Sequence, residues 1–213
     1  MTRNLTGVAP RHAIHIGSHA YAGQRIGLLG GSFNPAHDGH RYISEEALKR
    51  LGLDAVWWLV SPQNPLKPAA GMASLADRLA AARSVARHPR IRVTDLESRL
   101  GTRYTADTLA ALVRRYPAAR FAWLMGADNL VQLPAWRHWS SIVNTVVIAV
   151  FARSPYDAKA LAGLAAHRFA NARLTVERAP TLADWQPPAW AFLPLRRHPA
   201  AATTLRAEGR WPV

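Results

Sequence analysis

The chain has 213 residues, which suits one α/β domain with an ample core. It carries 27 Lys and Arg against 13 Asp and Glu, for a formal net charge of +14, and it contains no cysteine. The lack of cysteine excludes disulfides and iron–sulfur sites, and no segment approaches the roughly 20 apolar residues that cross a bilayer. Residues 1–20 contain no compact apolar region, so we expect a cytoplasmic protein without a secretory signal or membrane contact.

The excess of positive charge is compatible with two classes of partner. A basic protein can bind nucleic acid, and arginines also suit small polyanionic substrates. Only three basic residues are lysines, at positions 49, 67 and 159, and the arginines are scattered rather than gathered in a tail or a stripe. This distribution favours polyanionic substrates, and we therefore expect no nucleic-acid partner.

Residues 25–40, RIGLLGGSFNPAHDGH, join a strand pattern to a helix pattern. The apolar run at 26–29 is typical of a buried parallel strand. Gly30 and Gly31 permit a tight turn and the close approach of a ligand, and Asp38 is a candidate N-cap for the helical pattern that follows. Free backbone N–H groups and the helix dipole favour an anion at such a junction. The segment therefore predicts a phosphate site.

Two histidines follow the glycines in this segment. His37 and His40 are three residues apart, so their rings can lie on neighbouring positions of one surface and face an anion together. The phosphate loops G-x-x-x-x-G-K-[ST] and G-x-G-x-x-G are absent. A structural turn with two surface histidines is one alternative. A zinc pair is another, although the segment supplies no further zinc ligand.

The rest of the chain alternates between strand and helix patterns. Strands are predicted at 26–29, 55–60, 91–93, 121–125, 145–151, 174–176 and 190–193, and helices at 39–50, 74–88, 105–116, 158–169 and 203–208. Trp57 and Trp58 should point to opposite faces of the second strand and lie in the core. The alternation indicates an α/β, Rossmann-like, doubly wound parallel sheet with helices on both faces. We predict one domain over 25–213, preceded by a flexible extension at 1–24.

The first segment resembles the G-x-F-x-P-x-H-x-G-H signature of the nucleotidylyltransferase superfamily, with its fixed positions at Gly31, Phe33, Pro35, His37, Gly39 and His40. Later segments resemble bacterial nicotinate-nucleotide adenylyltransferases in the same order: NPLKP at 64–68, SLADRLAAA at 74–82, RYTADTL at 103–109, WLMGADNLVQLPAW at 123–136 and TTLR at 203–206. The resemblance implies transfer of the adenylyl group of ATP to nicotinate mononucleotide, which gives deamido-NAD and pyrophosphate in NAD biosynthesis. It also implies Mg²⁺ held mainly through ATP and water.

The resemblance implies a set of ATP ligands. His37, His40 and Arg206 would be the catalytic groups, and the wider ATP set comprises Gly30, Gly31, Ser32, Phe33, His37, His40, Asp128, Thr203 and Arg206. Asp128 would bind a ribose hydroxyl or orient a metal-bound water. The family's S-x-T-x-x-R motif has Ala201 at its first position here, so one hydroxyl contact is missing. An ordinary helix cap followed by a solvated arginine is the alternative for Thr203 and Arg206.

The resemblance places four further residues around nicotinate mononucleotide: Asn64, Lys67, Thr105 and Trp136. Trp136 would stack on the pyridine ring, and Thr105 would meet the carboxylate at a helix start. A solvated charge at Lys67, a plain N-cap at Thr105 and a core tryptophan at Trp136 are the alternatives.

Two rival functions stay open at the level of sequence. Sister enzymes with the same first motif use nicotinamide mononucleotide, pantetheine phosphate or a flavin. A non-catalytic RNA-binding module with this fold is the rival from another class. The sequence leaves the oligomeric state open, a homo-oligomer included.

Overall fold

The computed structural model describes residues 19–62 and 71–196. Its strands are β1 Arg25–Gly31, β2 Ala55–Val60, β3 Ile91–Thr94, β4 Arg120–Gly126, β5 Val147–Phe151, β6 Arg173–Leu174 and β7 Trp190–Leu193. Its α-helices are α1 Asp38–Arg50, α2 Leu75–Val85, α3 Leu96–Arg99, α4 Thr105–Arg115, α5 Ala127–Gln132, α6 Trp139–Thr145, α7 Asp157–Leu161 and α8 Leu164–Arg168. Short 3₁₀ helices cover Leu133–Ala135, Ala170–Ala172 and Val176–Asp184.

Within the described residues the strands form one parallel sheet in the order β3-β2-β1-β4-β5-β7-β6. Leu28 of β1 lies in register with Trp57 of β2 on one side and with Trp123 of β4 on the other. The predicted doubly wound parallel sheet is therefore confirmed, since every predicted strand is present at or near its predicted position.

Two apolar clusters cover the two faces of the sheet. Trp57 belongs to the cluster beneath α4, α5 and α6, whereas Trp58 belongs to the cluster beneath α1 and α2. Both indole side chains are fully buried. Adjacent side chains of a strand point to opposite faces, so this pair confirms both the predicted strand and the predicted helices on each side.

The order of the strands reverses between β1 and β4. In open parallel sheets a ligand binds at such a switch point, beyond the carboxyl ends of the strands. His37 lies in the loop after β1, and Asp128 lies in the first turn of α5, which directly follows β4, so the fold brings these two predicted segments to the same crevice.

Three local differences from the predicted elements have physical causes. The predicted helix at 158–169 is split into α7 and α8 at Gly163, whose extended backbone interrupts the helical geometry. The predicted strand at 145–151 starts two residues late because Thr145 is the last residue of α6. Between β3 and α4, where the sequence predicts no helix, the chain forms the single helical turn α3.

Tyr21, in the described end of the predicted N-terminal extension, packs on the domain. Tyr21 is buried and places its ring 5.0 Å from that of Trp57 and 5.8 Å from that of Tyr116, both edge to face. The rest of the extension and the predicted helix at 203–208 lie outside the described residues. Across the described ranges no helix has the length and apolar character needed to span a membrane.

Candidate active site

His37, rather than the predicted Asp38, is the N-cap of α1. Its Nδ1 accepts a hydrogen bond from the Gly39 N–H at 3.1 Å, and Nδ1 of His40 accepts one from the His37 N–H at 3.2 Å. The two imidazoles thus form a reciprocal capping box, a role usually filled by a hydroxyl and a carboxylate. Asp38 is instead the first helical residue, with its side chain 60% exposed and 3.5 Å from Arg41.

The capping bonds fix which ring nitrogen carries hydrogen in each neutral imidazole. A backbone N–H can only donate, so Nδ1 of His37 and of His40 must offer a lone pair, and the hydrogen lies on Nε2. The ring centroids are 3.9 Å apart with an angle of 39° between planes, and both residues are half-buried. Each ring therefore turns its Nε2–H edge away from the backbone that it caps, at the helix end that favours an anion.

Buried aromatic and hydroxyl groups support His40 from behind. The Phe33 ring lies 4.7 Å from the His40 ring and stacks on Trp58 with centroids 5.0 Å apart and planes at 16°. Trp58 Nε1 donates to Ser44 Oγ at 2.7 Å, and Ser44 Oγ donates to the His40 carbonyl at 2.8 Å. The second histidine is thus held through both its ring and its backbone.

The two glycines of the turn have different surroundings. A Cβ on Gly30 would lie 2.3 Å from the buried indole ring of Trp123, whereas a Cβ on Gly31 would make an ordinary contact with the Phe33 ring at 3.5 Å. Gly30 is therefore required by core packing, a reason that the sequence pattern did not reveal.

A carboxylate and a guanidinium meet at the ends of β4 and β5. Asp128 Oδ2 accepts from Arg153 Nη1 at 3.1 Å, and Asp128 Oδ1 is buried with no hydrogen-bond partner among the described residues. A Cβ on Gly126 would lie 2.5 Å from that same oxygen, so the glycine makes room for the carboxylate. Sequence reasoning missed Arg153, whose only signal is its position just after a buried strand.

The segments carrying Thr105 and Trp136 lie side by side. Tyr104 is the N-cap of α4, so Thr105 is its first residue, with a backbone N–H at the helix start. The Arg137 guanidinium lies 4.7 Å from the centroid of the Tyr104 ring. Trp136 is half-buried at the end of the 3₁₀ helix Leu133–Ala135 and packs partly on the core.

Several predicted ligands fall outside the part of the chain that the structure describes. These ligands are Asn64, Lys67, Thr203 and Arg206. Ala201, which departs from the family motif, also lies outside the described residues. Their roles therefore stay predictions.

A family model described as cytidylyltransferase-like matches residues 28–205. The chain belongs to this family. The matched range contains both histidines, the glycine turn and Asp128, so the described crevice lies within the cytidylyltransferase-like domain.

Individual relatives indicate which enzymes of this family the chain resembles. A protein of Parvibaculum lavamentivorans named as a probable nicotinate-nucleotide adenylyltransferase is 54% identical over 90% of this chain and 95% of its own length. A Cereibacter sphaeroides protein with the same name is 53% identical over 87% of this chain and 98% of its own. The resemblance to bacterial nicotinate-nucleotide adenylyltransferases is thereby confirmed.

A solved structure shares the fold at low sequence identity. Plasmodium falciparum nicotinic acid mononucleotide adenylyltransferase, complexed with NaAD, superposes with a TM-score of 0.65 over 86% of this chain and 83% of that one. The two sequences are 14% identical, so this comparison supports the architecture of the cytidylyltransferase-like domain alone.

Beneath the crevice of this cytidylyltransferase-like domain lies a buried acid. Glu97, in α3, is 6% exposed. Burial raises the pKa of its carboxyl group from 4.5 to about 7, against the opposing effect of a hydrogen bond with the Ser61 side chain. Ser61 directly follows β2, so the acid contacts the start of the loop that leads to Asn64 and Lys67.

Replacing Glu97 with glutamine should remove a pH dependence of stability. The folded protein keeps the Glu97 proton up to pH about 7, whereas the unfolded chain releases it near 4.5. The contribution of Glu97 to the free energy of unfolding should therefore fall by roughly 3 kcal/mol as the pH rises through this window, and change no further above it. Urea unfolding of the wild-type protein and of Glu97→Gln across pH 4–8 measures this difference.

Glu45→Gln is the matched control, because Glu45 is an exposed glutamate on α1. It should keep the wild-type pH dependence. If Glu97→Gln also kept it, the carboxyl group would not hold its proton in the folded state.

Proposed function

We propose that this protein transfers the adenylyl group of ATP to the 5′-phosphate of nicotinate mononucleotide, giving deamido-NAD and pyrophosphate. The pair of Nε2–H donors at the N-terminus of α1, at the switch point of the sheet, is the observation that carries the reaction class. The choice of acceptor is supported by relatives at 53–54% identity that are named as probable nicotinate-nucleotide adenylyltransferases.

The proposed reaction needs alignment and charge stabilisation rather than a covalent intermediate. A phosphate oxygen of nicotinate mononucleotide attacks the α-phosphorus of ATP in line, and the bond from that phosphorus to the bridging oxygen of pyrophosphate breaks. His37 and His40 donate through Nε2–H to the phosphate oxygens, where negative charge develops. Backbone groups of Gly31, Ser32 and Phe33 hold further phosphate oxygens. The leaving pyrophosphate is assigned to Thr203 and Arg206.

Mg²⁺ is proposed to bind together with ATP. Among the described residues no group of three or more His, Asp or Glu side chains could cage a metal ion. The buried, unpartnered Oδ1 of Asp128 fits a partner that donates, either a ribose hydroxyl or a water on the ion. Bound in this way, Mg²⁺ would neutralise charge on the triphosphate.

The pyridine nucleotide is assigned to the α4 side of the crevice. The N–H groups at the start of α4, beside Thr105, receive no side-chain cap from Tyr104 and suit a carboxylate, which nicotinate has and nicotinamide lacks. The half-buried ring of Trp136 offers a flat apolar surface for the pyridine. Asn64 and Lys67 are assigned to the rest of the mononucleotide.

The choice of acceptor is tested by product formation from ATP and Mg²⁺ with separate acceptors. We expect deamido-NAD from nicotinate mononucleotide with a kcat/KM at least tenfold above that for nicotinamide mononucleotide, measured by mass spectrometry of the products. A preference for nicotinamide mononucleotide or for pantetheine phosphate would replace the proposal with one of the sister activities.

Trp136→Ala should raise the KM for nicotinate mononucleotide by about fivefold, because a stacked ring contributes on the order of 1 kcal/mol to binding. The KM for ATP should stay within twofold of the wild-type value. Trp185→Ala is the control, since Trp185 is 40% exposed and follows the 3₁₀ helix Val176–Asp184. An unchanged KM in Trp136→Ala would remove this residue from the pyridine site.

A further inference from the structure

Arg78, in the first turn of α2, is buried beneath the crevice at 1% exposure. Its guanidinium donates four hydrogen bonds to backbone carbonyls: from Nη1 to Ser32 at 2.7 Å and to Ser61 at 2.6 Å, from Nη2 to Pro62 at 2.9 Å, and from Nε to Ala73 at 3.0 Å. Within the described ranges no carboxylate forms a salt bridge with it. A buried guanidinium is costly unless its donors are satisfied, so these carbonyls define its position.

The bond to Ser32 sets the direction of the next backbone N–H. The peptide unit between Ser32 and Phe33 is trans and planar, so a carbonyl turned towards Arg78 turns the Phe33 N–H the opposite way. In the described part of the chain no group accepts a hydrogen bond from that N–H. Phe33 also has φ of +47°, a left-handed conformation that a bulky residue keeps only when its surroundings hold it.

The same network joins the phosphate turn to the loop after β2. The Ser61 N–H donates to the Gly31 carbonyl at 2.9 Å, on the strand that ends in the turn. The Asn34 side chain donates to the Gly71 carbonyl at 2.9 Å and accepts from the Ala73 N–H at 3.2 Å. The guanidinium and this amide therefore fix the turn against both ends of the loop that carries Asn64 and Lys67.

We propose that Arg78 is a positioning residue for ATP: it holds the Ser32 carbonyl from within the fold, so that the Phe33 N–H points at the triphosphate. Arg78 does not touch the nucleotide, and its effect reaches the phosphates only through the turn. The inference rests on the proposed function, because that function places the triphosphate at this turn.

The test compares Arg78→Met and Arg78→Lys with the wild-type protein at a temperature where circular dichroism shows each to be folded. Calorimetry measures the binding of ATP, inorganic tripolyphosphate and adenosine. In Arg78→Met we expect affinity for ATP and tripolyphosphate to fall at least tenfold, with adenosine affinity within twofold of wild type. The affinity of Arg78→Lys for ATP and tripolyphosphate should lie between those of the wild type and Arg78→Met, because an ammonium group reaches fewer of the carbonyls. Arg83→Met, at an exposed arginine of the same helix, should match the wild type.

Two results would overturn the positioning role. One is wild-type affinity for tripolyphosphate in folded Arg78→Met, or in folded Arg78→Lys if the methionine variant does not fold. The other is an equal loss for adenosine and tripolyphosphate, which would mark a general loosening of the crevice. These binding measurements do not use nicotinate mononucleotide or any other acceptor substrate. If tripolyphosphate affinity depended on Arg78 as expected but the wild-type protein made no deamido-NAD, the proposed acceptor substrate would be wrong and the positioning role would stand.

Discussion

Alanine in place of His37 or His40 should lower kcat for adenylyl transfer by roughly 10²–10³-fold, with the KM for ATP changed less than tenfold. Removing one preorganised hydrogen-bond donor that faces charge developing in the transition state lowers kcat by about this factor. The donor in each case is the Nε2–H that the capping bonds leave on the ring. Steady-state kinetics with ATP varied at saturating nicotinate mononucleotide measure the split between kcat and KM.

The alanine variants also lose a helix cap, which costs on the order of 1 kcal/mol of stability. Asparagine separates the two roles at His37, because its side-chain oxygen can accept from the Gly39 N–H as Nδ1 does, while nothing replaces Nε2–H. His37→Asn should therefore recover most of the thermal stability and little of the turnover. Recovery of turnover in His37→Asn would assign the histidine to capping alone.

Gly30→Ala should destabilise the protein by about 3 kcal/mol and lower its melting temperature by about 6–12 °C. The added Cβ would lie 2.3 Å from the Trp123 ring, which is 3% exposed and packed on all sides. Because the core is close-packed, either the indole or β1 must shift, and β1 leads directly into the phosphate turn. Differential scanning calorimetry measures the shift in melting temperature, and the same samples serve for kinetics.

Gly31→Ala is the matched control, one residue along the same turn. Its Cβ would make an ordinary contact with the Phe33 ring at 3.5 Å, so we expect its melting temperature to fall by no more than about 3 °C. Equal melting temperatures for the two variants would show that the indole moves aside at little cost.

The fold could be predicted from the sequence because its strands are short apolar runs separated by helical patterns. The paired tryptophans of β2 illustrate this, since alternation along a strand alone assigns Trp57 and Trp58 to opposite faces. The packing of Tyr21 on the core could not be predicted in the same way. One aromatic residue in a polar segment has no periodicity, and its position depends on the space left beside Trp57.

The phosphate turn could be predicted because its residues are contiguous in the sequence. Arg78 and Glu97 could not, because what distinguishes them is burial against backbone that lies elsewhere in the chain. In the sequence, Arg78 looks like a solvated arginine on an amphipathic helix. The capping role of the histidines was missed for another reason: aspartate is the more common N-cap residue, and only the geometry shows that the helix begins one residue earlier, with His37 Nδ1 accepting from the Gly39 N–H.

The central claim is that both imidazoles offer Nε2–H to the phosphates of ATP. Long-range ¹⁵N–¹H NMR of histidine-labelled protein tests it directly, with the two rings assigned through His37→Asn and His40→Asn. In the protein without ATP, we expect each ring in its neutral form to carry its hydrogen on Nε2. Both Nε2 signals should shift when ATP is added. A ring with its hydrogen on Nδ1, or Nε2 signals that do not respond to saturating ATP, would contradict the account.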